Sequence, residues 1–141
     1  MRMLNFELSA SSFAVELVGL DCVWDLHNAG QFLGVNVAAS DNTAIMSWRV
    51  SGHAVAKYSA CRLVFKDLKL MVISPRDAGL PISEDLCVSG ISKVVPGATE
   101  KPEYRTKRHW DSGDPFNLLF QFQSGRSIEV SAETVELVGI A

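Results

Sequence analysis

FNLLFQFQSGRSIEVSA, residues 116–132, is the stretch from which the fold is read. Phe116, Leu118, Phe120 and Phe122 recur at every second position, and Asn117, Gln121 and Gln123 take the alternate positions, with Leu119 as the exception. Beyond Ser124-Gly125, the residues Ile128, Val130 and Ala132 alternate with Ser127, Glu129 and Ser131. Two runs of period two flanking a turn pair make a β-hairpin. Its register follows from burial. A two-residue loop would put the Phe face and the Ile face on opposite sides of the sheet. A three-residue loop, Gln123-Ser124-Gly125, pairs Phe122 with Arg126, Phe120 with Ile128 and Leu118 with Val130, so the large apolar groups share one side. Each such buried side chain contributes roughly 1.5–3 kcal/mol, which selects the three-residue loop. Gly125 then occupies the left-handed position that such loops require.

The same alternation runs outward through the chain. Leu4, Phe6 and Leu8 form one set, and Phe13, Val15 and Leu17 another; Leu33, Val35 and Val37 end at the turn-like Ser40-Asp41-Asn42. Met46, Trp48 and Val50 end at Ser51-Gly52, and Trp48 is expected in the core. Cys61, Leu63 and Phe65 share a phase that slips to Leu68, Leu70 and Val72, so a bulge or bend is expected at Lys66-Asp67. Tyr104, Thr106, Arg108 and Trp110 alternate with Arg105, Lys107 and His109 and read as a further strand. Ser83-Glu84-Asp85 is placed to cap a short helical turn. Residues 74–81 and 96–102 are rich in Pro and Gly and read as exposed loops. Many short strands with this punctuation specify an all-β domain spanning residues 1–141: an antiparallel β-sandwich or flattened barrel with at most one short helix.

One pattern repeats. VELVG stands at 15–19 and at 135–139, preceded by FELSA at 6–10 and IEVSA at 128–132; eight of the ten positions in these paired blocks are identical. Duplication, equal structural demands and coincidence all account for it. No repeat fills residues 20–115, which excludes a tandem solenoid. Both copies read as strand, Ser-Ala kink, strand, in comparable places and near one another at the chain ends. Glu7, Glu16, Glu129 and Glu136 are expected on solvent faces.

Composition narrows the function. The chain has 141 residues, 48% of them hydrophobic, and a net charge of −3, enough for a real core and without a strongly basic segment. That balance argues against nucleic acid as the partner. The opening MRMLNFELSASS lacks the long apolar stretch of a signal peptide, and no apolar run approaches the ~20 residues of a membrane helix, so a cytoplasmic address without membrane contact is expected. Cys22, Cys61 and Cys87 are widely spaced and odd in number, which suits a reducing compartment, and Cys61 and Cys87, in apolar runs, read as two small buried hydrophobes.

Chemical motifs are sparse. Asp21-Cys22-Val23-Trp24-Asp25-Leu26-His27 gathers ligand-type residues, but a metal would need help from His53 or His109, and no second pair has matching spacing. No phosphate-binding glycine loop and no nucleophile elbow is present. Neither a metal, a cofactor nor an enzymatic activity is therefore expected. A small-molecule or minor hydrolytic site using Asp25 and His27 is the alternative. The densest surface signal is Tyr104, Arg105, Lys107, Arg108, His109 and Trp110, bracketed by Glu100, Glu103, Asp111 and Asp114. Tyr, Trp and Arg are favoured at protein interfaces, edge strands carry Lys and Arg to block unwanted pairing, and single-stranded nucleic-acid or other anion sites combine the same groups, although the bracketing acids blunt the field here.

CRLVFKDLKL at 61–70 and FQSGRSIEVSAETVEL at 122–137 resemble small bacterial all-β domains of uncharacterised kind, some of which act as immunity proteins beside polymorphic toxins. The resemblance implies a non-enzymatic protein that binds a partner, and it carries over no functional residue. The expected function is thus a binding module acting on a protein partner or on itself as a homo-oligomer, with the edge at Tyr104–Trp110 as its surface.

Overall fold

A computed structural model describes residues 1–52, 55–97 and 100–141; His53, considered above as a metal partner, lies outside them. The described residues form ten strands: β1 (Arg2–Met3), β2 (Phe6–Leu8), β3 (Glu16–Gly19), β4 (Cys22–Asp25), β5 (Gly30–Ala38), β6 (Thr43–Val50), β7 (Ala60–Ile73), β8 (Val88–Val94), β9 (Asn117–Phe122) and β10 (Ser127–Ile140). The large sheet runs β5-β6-β7-β10-β9-β8, with β1 joining β10 in parallel, and a second sheet runs β2-β3-β4. The protein is all-β, and its large sheet curls into a half-barrel.

The carboxyl-terminal hairpin has the register that one-sided burial demands: Phe120 faces Ile128 and Leu118 faces Val130. The Phe122 amide donates to Arg126 O at 2.9 Å, and the Gly125 amide donates to Phe122 O at 3.0 Å. Gly125 has φ +84°. Gly125→Ala is therefore expected to cost about 1–2 kcal/mol, the penalty of a Cβ in the left-handed region, measured by urea unfolding.

The aromatic core forms on that side. Phe120 packs on Trp48 and edge-on against Phe65, with centroids 6.0 and 6.3 Å apart; Phe122 meets Phe32 at 4.8 Å. Met46, Trp48, Cys61, Leu63 and Phe65 are fully buried. The small sheet closes over this concave face with Phe6, Leu17 and Trp24. Trp24 stacks on Tyr58 at 5.0 Å and donates its indole N–H to Gly19 O.

The bulge expected near Lys66-Asp67 is present. Asp67 has φ +54°, and the β7–β10 pairing slips where Ser131 and Ala132 face Leu70 and Leu68. The strand does not change sheet; it loses β6, whose pairing ends at Lys66. The slip alters the phase as well. Met71 turns to the core, while Leu70 and Val72 face outward and are exposed, contrary to the expected Leu68/Leu70/Val72 face.

Three further expectations are corrected. Tyr104–Trp110 is not a strand: Pro102–Tyr104 form a 3-10 turn and the residues up to Phe116 form a loop. Arg105 forces this, because its side chain is buried and pulls the chain onto the sheet. Phe13 does not share a face with Leu17; it is exposed with φ +54°. Ser11–Ala14 instead seals the β8 edge: Ala14 and Ile91 exchange amide bonds of 2.8 and 2.6 Å, and the Lys93 amide donates to Ser11 O. The helical turn at Ile82–Leu86 is also 3-10, and Ser83 lies inside it instead of capping it.

The two VELVG copies are central strands of different sheets, β3 and β10. Leu17 and Leu137 are both buried. Asn5 links them: its side chain bonds both the amide and the carbonyl of Leu137, and its backbone lies against Gly19. The Ser-Ala pairs behave differently. Ser131-Ala132 is a bulge within one continuous strand, whereas Ser9-Ala10 begins a reversal between β2 and β3. Four residues, Ser11–Ala14, separate the blocks in the first copy and two, Glu133-Thr134, in the second.

Candidate functional site

The loop before Phe116 is built around a buried ion pair. Arg105 Nη2 donates to Glu129 Oε1 at 2.6 Å, Arg105 Nη1 donates to Val95 O at 2.7 Å, and Asn117 Nδ2 donates to Glu129 Oε2 at 2.7 Å. The Val95 amide donates to Arg105 O at 2.6 Å, so the backbone is fastened at the same place. Glu129, expected on a solvent face, is only 4% exposed. The reason is that the loop lays the Arg105 side chain on the outer face of the sheet, where Asn117 and Leu119 are buried as well and Ser92 accepts the Phe13 amide. Leu119, the one apolar residue out of phase in β9, was the sequence signal that this face is covered. A carboxylate in such a place persists only with partners, and here both oxygens have one.

The remaining candidate residues divide. Lys107 Nζ bonds Asp114 at 2.7 Å and lies 4.5 Å from the Trp110 ring centroid. That hydrogen bond, with the Asp111 amide, holds the Asp114 carboxyl below its usual range. Trp110 tucks against the core, edge-on to Phe116 at 6.1 Å. Tyr104, at 71% exposed, Arg108 and His109 remain on the surface. The structure thus assigns Arg105, Lys107 and Trp110 to shaping the loop and leaves Tyr104, Arg108 and His109 presented by it.

Asp25 and His27, the alternative site, each have polar atoms engaged by nearby backbone. Asp25 Oδ1 accepts the amides of His27 and Asn28 at 3.0 and 2.9 Å, and Oδ2 accepts the Asn28 side chain. His27 Nδ1 lies 2.7 Å from Val88 O and 3.3 Å from Cys87 Sγ. A thiolate is favoured by nearby positive charge and disfavoured by burial and nearby carboxylates. Burial, with Glu84 and Asp25 nearby, pushes the Cys87 thiol up, and the imidazole nitrogen that faces it is engaged by a carbonyl. Burial pushes Cys61 up to about 12. Among the described residues no group of three His, Cys, Asp or Glu could hold a metal, and no helix is long and apolar enough to cross a membrane.

Asp25 makes a pH-dependent contribution to stability. Burial alone would raise its carboxyl, but the Asn28 amide, the Asn28 side chain and the His27 amide together hold it below the usual range. A depressed folded pKa stabilises above the unfolded value of about 4 and loses that stability as pH falls through the folded one. Asp25→Asn is expected to flatten this acid limb in a thermal-unfolding series, with little change in slope near neutral pH.

Compared with family models, with curated proteins and with solved structures, the chain matches none of them.

Proposed function

We propose that the protein is a non-enzymatic binding module that recognises a protein partner through the loop carrying Tyr104, Arg108 and His109. The observation that carries the reading is the buried Arg105–Glu129 pair, which anchors a loop whose outward residues are of interface type. Holding Tyr104 outward on an anchored backbone lowers the entropy lost when a partner docks. The sequence resemblance to immunity-type domains is one version of this reading and would make the partner a toxin.

A photo-crosslinking phenylalanine analogue at Tyr104, at His109 and, as a control, at the exposed turn residue Asp41 tests it in the cells that make the protein. The expected result is a discrete protein adduct from positions 104 and 109 and none from 41. The same adducts from all three positions, or none, would remove the loop as the recognition surface. Replacing Lys107 and Arg108 with Ser, while sparing buried Arg105, tests the nucleic-acid reading. Oligonucleotide binding by the native chain that falls steeply with salt and vanishes in this variant would overturn a protein partner.

A further inference from the structure

We infer that two copies of the chain associate by antiparallel pairing of the free edge of β7, at Lys69–Ile73. This rests on a different surface from the loop and goes beyond it. β10 occupies one side of β7 along its whole length, but β6 occupies the other only from Ala60 to Lys66. The Leu68 amide reaches Asn42 O, and beyond it Lys69–Ile73 have no backbone partner on that side among the described residues. An unpaired strand edge is a template for another strand, and proteins usually blunt it with charge, proline or a cover. Here the edge reads Lys-Leu-Met-Val-Ile, and its one charge, Lys69, is held at 2.6 Å by Glu133.

The exposed side chains identify the occupant. Leu70 and Val72 are 43% and 47% exposed on the outer face of a strand where that face is otherwise covered or polar, and Ile73, on the other side, is 50% exposed. A twofold pair centred on Met71 sets Leu70 opposite the second copy's Val72, and Lys69 opposite the second copy's Ile73. No like charges meet, and on each chain Leu70 and Val72 stack across the seam, the arrangement that stabilises antiparallel pairs. On the other, core-facing side of the edge, Ile73 lines a groove of about 320 Å³ with Phe32, Leu33 and Ile128 and with the charged Asp85 and Arg126. A strand pair of five residues on each side is a small interface, so the association is weak and concentration-dependent.

Sedimentation velocity from about 10 µM to about 1 mM reads the association directly. The expected result is a monomer–dimer equilibrium for the native chain, and a dissociation constant raised at least tenfold in L70K/V72K. Both substituted positions are exposed, and an unchanged unfolding midpoint shows that the variant is folded. The register is read by mixing equal amounts of Leu70→Cys and Val72→Cys chains under mild oxidation, where the mixed disulfide should exceed its statistical half of the product. A native chain that stays monomeric throughout, a dimer equally tight in L70K/V72K, or mixed disulfide at no more than the statistical share would each overturn the inference. None of these outcomes bears on adducts at Tyr104, so the two surfaces succeed or fail separately.

Discussion

Trp48→Ala is expected to lower stability by about 3–5 kcal/mol, the usual cost of deleting a fully buried indole. Trp48 is wholly inaccessible and sits between Phe32, at 5.1 Å, and Phe120, at 6.0 Å. From β6 it therefore joins the end strand β5 to β9 across the curl of the sheet. Its indole Nε1 is buried without a partner, so the ring contributes through packing and not through a hydrogen bond. Trp48→Phe keeps most of the ring and removes the unpaired N–H, and should cost well under half as much. Urea unfolding monitored by far-ultraviolet dichroism reads both. Equal losses for Ala and Phe would show that the indole nitrogen, and not the ring, matters.

Arg105→Met is the second large effect, expected at about 3–5 kcal/mol, because it leaves the Glu129 carboxylate buried beside Asn117 with its main partner gone. Converting Glu129 to Met as well should restore much of the loss, since no charge is then stranded. The coupling across this cycle is expected near 2 kcal/mol. The other ion pair of the loop makes the contrast. Lys107 and Asp114 are 38% and 28% exposed, and Lys107→Ala should cost no more than about 1 kcal/mol. If the Arg105 and Lys107 variants lost equal amounts, the buried pair would not be what fastens the loop.

These two sites differ in how far the chain announces them. Trp48 lies in a clean alternation with Met46 and Val50, and alternation tells a one-sided strand where its core is. Arg105 also lies in an alternation, with Lys107 and His109, yet no strand forms. Period two is necessary for a half-buried strand but says nothing about whether a neighbouring strand exists to pair with. What places Arg105 is Glu129, 24 residues away and on another element. The fold class, the hairpin register and the bulge of β7 were readable because each follows from local spacing and one-sided burial. Of the proposed surface, Tyr104, Arg108 and His109 were readable as a cluster, while the inward turn of Arg105 and Trp110 was not.

The repeated VELVG makes the boundary between the two kinds of information plain. Identical residues specify the same local object, a strand with a buried leucine, and Leu17 and Leu137 both comply. Whether Ser-Ala then bulges within a strand or begins a reversal depends on the chain beyond it: four intervening residues reach back to seal β8, whereas two keep β10 running beside β7. Side-chain alternation is a property of adjacent residues, so it is written in the order of the letters. The covering of a second face shows there only as Leu119 out of phase, without saying what covers it; the meeting of a distant guanidinium and carboxylate and the edge left open on β7 arise only when remote segments share space, and nothing in a short window of sequence encodes them.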